Sequence, residues 1–170
     1  IASALLSALQ HQMLHRDIKP GNILFNAAGE PKLVDFGLAR KVEEEEEYGS
    51  SVWGTPYYVA PEKIERKRED FHSDMYSLGG TLYHALTGHV PFEAETVEQV
   101  VAGPVHTPLT PPNEANLDIT QLTSHAICTA MAKNPNDRFP TYDDFIMALE
   151  AAISYLLVGQ MKQNQSLDPE

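Results

Sequence analysis

Three short segments hold side chains that can do chemistry together. His15-Arg16-Asp17-Ile18-Lys19-Pro20-Gly21-Asn22 sets a carboxylate, an ammonium group and an amide within eight residues. Asp35-Phe36-Gly37 begins thirteen residues beyond Asn22, and Ala60-Pro61-Glu62 stands further on. A carboxylate can orient a hydroxyl and accept its proton. Carboxylate and amide oxygens suit a hard divalent cation such as Mg²⁺. Any one of these segments alone would be read as a cap or a turn; three in one order and spacing point to a shared site.

The segments resemble the H-R-D-x-x-x-x-N, D-F-G and A-P-E elements of Hanks-type, eukaryotic-like Ser/Thr protein kinases, over roughly residues 1–153. The resemblance implies that Asp17 is the base for the attacking hydroxyl and that Lys19 steadies the transferred phosphate. It implies that Asn22 and Asp35 hold Mg²⁺ against the phosphates of ATP, with Lys19 also on the nucleotide side. Thr55, in Gly54-Thr55-Pro56-Tyr57-Tyr58, matches a substrate-platform threonine that meets the base and this lysine. Lys19 and Thr55 favour Ser/Thr over Tyr specificity. Asp74 and Gly79 match a buried aspartate and glycine of a long central helix, and Glu62 and Arg138 match a buried ion pair. The wording of the loop and of Tyr76-Ser77-Leu78-Gly79 resembles bacterial members.

Such a site needs a scaffold, and 170 residues with 42% hydrophobic content are enough for one core. A net charge of −12 argues against binding nucleic acid or an anionic membrane face. Cys128 is the sole cysteine, so the chain makes no internal disulfide. No unbroken apolar run reaches the length of a bilayer span, so no membrane segment is expected in this chain.

Ile1, Leu5, Leu9 and Met13 share a helix face, predicting a helix over 1–12. Ile23–Phe25 and Lys32–Val34 are short strand runs, with Asn26-Ala27-Ala28-Gly29-Glu30 as the turn between them. Residues 37–61 hold no period and predict a long functional loop. The strongest helix is Ser73–Leu86, with Ser73 as N-cap and Thr87-Gly88 as its end. Further helices are predicted over Glu95–Val101, Leu122–Met131 and Thr141–Leu156, with 103–116 irregular and a polar, frayed tail from Gly159.

Other features have plainer readings. His11 and His15 have the i, i+4 spacing of some zinc sites but no third ligand nearby. The run Glu43–Glu47 reads as a solvated loop. Its sharper reading is that a glutamate pairs with Arg16, as phosphorylated loop residues often do in this family. Ser50 and Ser51 are candidate phosphosites in the same loop. Lys63, Arg66, Lys67 and Arg68 read as a solvated basic face.

The expectation is an α+β fold: a protein-kinase-like C-lobe, mainly α-helical, with short β-hairpins at the catalytic cleft and the N-lobe absent. Residues 1–153 form the catalytic-domain portion and 154–170 a polar tail. The chain opens inside a helix and has no match to the family's Gly-rich loop or strand lysine, so alone it is expected to be inactive. The implied function is transfer of the ATP γ-phosphate to Ser/Thr hydroxyls of a protein substrate, with ATP and Mg²⁺ as cofactors. The implied setting is cytoplasmic, the full-length protein being open to membrane anchoring. The alternatives are a pseudokinase-like binding module, which loss of Asp17 or Asp35 would favour, and a small-molecule phosphotransferase, which the A-P-E segment and Thr55 oppose.

Overall fold

A computed structural model describes residues 1–37, 39–41 and 56–165. Seven helices and four short strands occur among them: α1 (Ala2–Gln10), β1 (Met13–Leu14), β2 (Ile23–Phe25), β3 (Pro31–Leu33), β4 (Arg40–Lys41), α2 (Pro61–Ile64), α3 (Phe71–Thr87), α4 (Val97–His106), α5 (Pro112–Ala115), α6 (Gln121–Ala130) and α7 (Tyr142–Gln165). The predicted mainly helical α+β organisation with a β2–β3 hairpin is what forms.

Helix α3 is the axis of the core. Met75, Tyr76, Leu78, Gly79, Gly80 and Tyr83 along it are all buried. One cluster joins Met75 and Leu78 to Ala2 and Leu5 of α1, Ala130 of α6, Tyr142 and Phe145 of α7, and Ile18. A second joins Tyr76 and Tyr83 to Ala60, Phe92, Ile127 and Met131. Burying such side chains stabilises by about 1.5–3 kcal/mol each before chain entropy is counted. Gly79 lets α3 approach α6: a Cβ there would lie 2.8 Å from Met131 Cγ and 3.2 Å from Ala130 Cβ.

The helix starts correct the predicted boundaries. Asp70, not Ser73, caps α3, accepting the His72 N–H at 2.8 Å. Ser73 lies inside the helix and donates its hydroxyl to Glu62 Oε1 at 2.6 Å. Gly88 ends α3 in the left-handed conformation at φ 80°, as predicted. Thr96 and Gln99 form a capping box that starts α4, which runs on to His106 through Pro104. Residues 103–116 are therefore less irregular than their proline content predicts. Helix α7 continues through Gly159 to Gln165, past its predicted end at Leu156. By length and composition alone, Tyr142–Lys162 is also long and apolar enough to cross a bilayer. An average over the helix meets that criterion where no unbroken apolar run does. Its first turns, through Tyr142 and Phe145, pack in the protein core.

Glu62 on α2 and Arg138 lock the periphery to this axis. Arg138 Nη1 and Nη2 bond Glu62 Oε1 and Oε2 at 2.7 and 2.8 Å, with the two side chains 0% and 5% exposed. Arg138 also donates to the carbonyls of Ala132 and His72 at 2.8 Å each, and it lies over the Tyr76 ring. Burial works to raise the Glu62 pKa, but the Arg138 bonds outweigh it and hold the carboxyl below its ordinary value.

Glu62→Gln leaves the Arg138 charge buried and unpaired, so urea unfolding should show a loss of about 3–5 kcal/mol. Because the folded-state pKa of Glu62 is lowered, its contribution is present above the ordinary carboxylate pKa. It disappears as pH falls through the folded value, a dependence the Gln variant should lack.

Candidate active site

Strand pairing creates the site. β1 pairs antiparallel with β4, and β2 pairs with β3, so residues 13–41 nest one hairpin inside another. The 15–22 loop leaves β1 and enters β2, while 34–39 leaves β3 and returns to β4. The two connecting segments therefore face each other between the ladders. The inner hairpin turns at Asn26, whose side chain accepts the N–H groups of Ala28 and Glu30 at 3.0 and 2.9 Å. The β1–β4 ladder was not legible in the sequence, since two-residue strands carry no period.

The side chains of the loop divide between core and cleft. His15 and Ile18 point inward and are 0% and 2% exposed. Asp17 and Lys19, flanking Ile18, turn outward as an ion pair: Lys19 Nζ lies 2.7 Å from Asp17 Oδ2. Buried Asn22 donates its amide to the same Oδ2 at 3.0 Å and to the Asp17 carbonyl at 2.8 Å. Asp17 Oδ1 has no hydrogen bond among the described residues and is available to a hydroxyl.

Asp35 sits across the loop. The Val34 N–H donates to the Asn22 carbonyl at 2.9 Å, and the Val34 carbonyl lies 3.2 Å from His15 Nε2. On the other side, the Phe36 ring meets the His15 ring edge-on at 4.7 Å. Asp35 is thus held between two residues that are both tied to the 15–22 loop. It adopts φ 61°, uncommon for a residue with a side chain. Its Oδ1 accepts the Gly37 N–H at 3.2 Å.

The donor set suits a hard cation. Asn22 Oδ1 and Asp35 Oδ2 have no hydrogen-bond partner among the described residues, and both are oxygens. Among the described residues no group of three or more His, Cys, Asp or Glu side chains is placed to hold a metal. Mg²⁺ needs no such cage, since it keeps several waters and takes one or two protein oxygens together with phosphates. The His11–His15 pair is no metal site: His11 is exposed and bonds the Ser7 carbonyl at 2.8 Å, while His15 is buried in the loop.

Buried Asp74 on α3 holds the loop. Its Oδ2 accepts the His15 N–H at 2.7 Å and its Oδ1 the Arg16 N–H at 2.8 Å. Burial raises its pKa, opposed by the Arg16 and His15 bonds. Arg16 occupies the left-handed region at φ 69°. Its guanidinium pairs with Glu69 at 2.6 Å, and Lys63 Nζ donates to its carbonyl at 3.1 Å. Lys63 therefore belongs to the site rather than to a solvated basic face. Neither Glu69 nor this role of Lys63 was identified in the sequence; the only signal was a charge cluster just ahead of the α3 cap. Of the residues singled out in the sequence, Asp17, Lys19 and Asn22 are brought into direct contact, while Asp35 lies between Val34 and Phe36, which both contact the 15–22 loop. Thr55, Glu43–Glu47, Ser50 and Ser51 lie outside the described residues.

The family model for the protein kinase domain matches residues 1–147. Serine/threonine-protein kinase PknK of Mycobacterium tuberculosis is 41% identical over 145 residues, which is 85% of this chain and 13% of that protein. Serine/threonine-protein kinase PknB of Mycolicibacterium smegmatis is 36% identical over 138 residues, 78% of this chain and 22% of that protein. The chain thus spans less than a quarter of the length of these curated relatives.

Asp74→Asn replaces one acceptor oxygen by a donor facing a backbone N–H. One bond is lost, and the backbone N–H and the new amide N–H are left facing each other without an acceptor, which costs about 1–3 kcal/mol or more. Chemical denaturation should show that loss, and amide exchange should speed at His15 or Arg16.

Proposed function

Because this chain belongs to the protein kinase domain family, we propose that it forms the C-terminal lobe of a serine/threonine protein kinase that phosphorylates Ser or Thr hydroxyls of a polypeptide. The observation that carries this is the convergence of Lys19 and Asn22 on one oxygen of Asp17, at 2.7 and 3.0 Å, with the other oxygen left open.

In this reading ATP with Mg²⁺ supplies the phosphoryl group and neutralises its charge. Asp17 orients the substrate hydroxyl and takes its proton as the oxygen attacks phosphorus. Lys19 lies beside the oxygens that gain charge in the transition state. Asn22 fixes the Asp17 carboxylate through its amide nitrogen and offers its carbonyl oxygen to the cation. Asp35 supplies the second protein oxygen. Thr55 matches the family's substrate-platform threonine by resemblance alone. Intact Asp17, Asn22 and Asp35 speak against a pseudokinase.

Asp17→Asn in the intact protein should lower kcat for peptide phosphorylation by about 10²–10⁴-fold while ATP still binds. Asp35→Asn should instead raise the Mg²⁺ and ATP concentrations needed. Both are read by phosphate incorporation into a Ser- or Thr-containing peptide, and transfer by Asp17→Asn at the wild-type rate would overturn the proposal. The 170 residues alone should transfer little or no phosphate, because the family's Gly-rich loop and strand lysine have no match in them. Measurable transfer from ATP by the purified chain would refute that part.

A further inference from the structure

The geometry points to Glu69 as a positioning residue for Asp17, and we propose that its carboxylate holds Arg16 in the left-handed turn that presents the base. This rests on Asp17 being the acceptor of the substrate proton.

Arg16 directly precedes Asp17, and its φ of 69° is a strained conformation for a residue with a side chain. Such a conformation persists only where its surroundings over-determine it. Contacts with Asp74, Lys63 and Glu69 are among those that restrain this residue. Asp74 Oδ1 accepts its N–H at 2.8 Å, Lys63 Nζ donates to its carbonyl at 3.1 Å, and Glu69 takes its guanidinium at 2.6 Å (Nη2–Oε1) and 3.4 Å (Nε–Oε2). Glu69 Oε2 also lies 3.7 Å from Lys63 Nζ. One carboxylate therefore braces both cations, one carried by Arg16 and the other gripping its carbonyl.

Burial separates this group from an ordinary surface pair. The Glu69 side chain is 5% exposed, and those of Arg16 and Lys63 are 14% and 20% exposed. At that depth solvent screens the attraction poorly, and a carboxylate without its cations would be costly. Position in the chain adds rigidity: the next residue, Asp70, is the α3 cap. Glu69 thus moves with α3, the helix that also carries Asp74. Main chain and side chain of Arg16 are held from one rigid body.

Glu69 lines the same cavity as Arg16, Asp17, Lys19 and Lys63. It works through Arg16 rather than on substrate. Removing its charge should loosen the Arg16–Asp17 peptide. It should leave Asn22 and Asp35 in place, because the Val34 N–H and the His15–Phe36 contact hold them.

The test is Glu69→Gln in the intact protein, with Asp17→Asn as control. Expected are a fall in kcat of roughly tenfold with KM for ATP within about twofold of wild type, and partial recovery in Glu69→Asp, which keeps the charge. In the 170-residue chain, amide exchange at Arg16 should be faster in Glu69→Gln than in wild type. If Asp17→Asn is dead and Glu69→Gln turns over like wild type, the Glu69 assignment falls and the kinase reading stands. If Asp17→Asn remains active, the kinase reading falls, and unchanged exchange at Arg16 then overturns the assignment independently. Should Glu69→Gln not fold, Glu69→Asp serves alone, and wild-type kcat together with wild-type exchange would count against the proposal.

Discussion

A carboxylate with 4% exposure, on the central helix, carries the geometry of the cleft. Asp74 accepts two successive backbone N–H groups, those of His15 and Arg16. A loop turning through a left-handed residue leaves its amides pointing inward, where only a rigid acceptor can satisfy them. Burying that anion is unfavourable by itself, and its raised pKa records the cost. Two short bonds offset it and register the loop against α3. Every other placement follows, from Ile18 anchored in the core to Asp17 and Lys19 turned outward.

The charge layout is organised around this point. The chain as a whole is strongly acidic, yet Arg16, Lys19 and Lys63 gather around Asp17 and Glu69. Each cation there has a carboxylate within reach, so the site combines paired charges with a directional set of donors. Net charge describes how the molecule meets solvent and large polyanions; it says little about a cleft where distances of 3 Å decide the interaction.

Much of this was legible in sequence. The three segments identified Asp17, Lys19, Asn22 and Asp35 because chemistry constrains residue type and spacing together, and such patterns need no periodicity. Helices α3, α6 and α7 were found from their apolar stripes. The start of α3 was less accurate, since Asp70 and Ser73 are both competent caps and only packing decides which is used. Ser73 lost its cap role because Glu62 needed its hydroxyl. The β1–β4 ladder and Glu69 were hidden for a different reason. A two-residue strand has no pattern, and an ion pair between positions 16 and 69 is set by the fold, with no local signature.

The nested hairpins also set a mechanical asymmetry. The inner ladder has three residue pairs and a turn stitched by Asn26, while the outer has only two pairs. A short ladder frays far more readily than one closed by a tight turn. Asn22, at the root of the inner ladder and bonded to Asp17, is on the stiff side. Asp35 leads toward the outer, shorter ladder. The two sides of the cleft thus rest on backbone ladders of unequal length, the longer one behind Asn22 and the shorter one beyond Asp35.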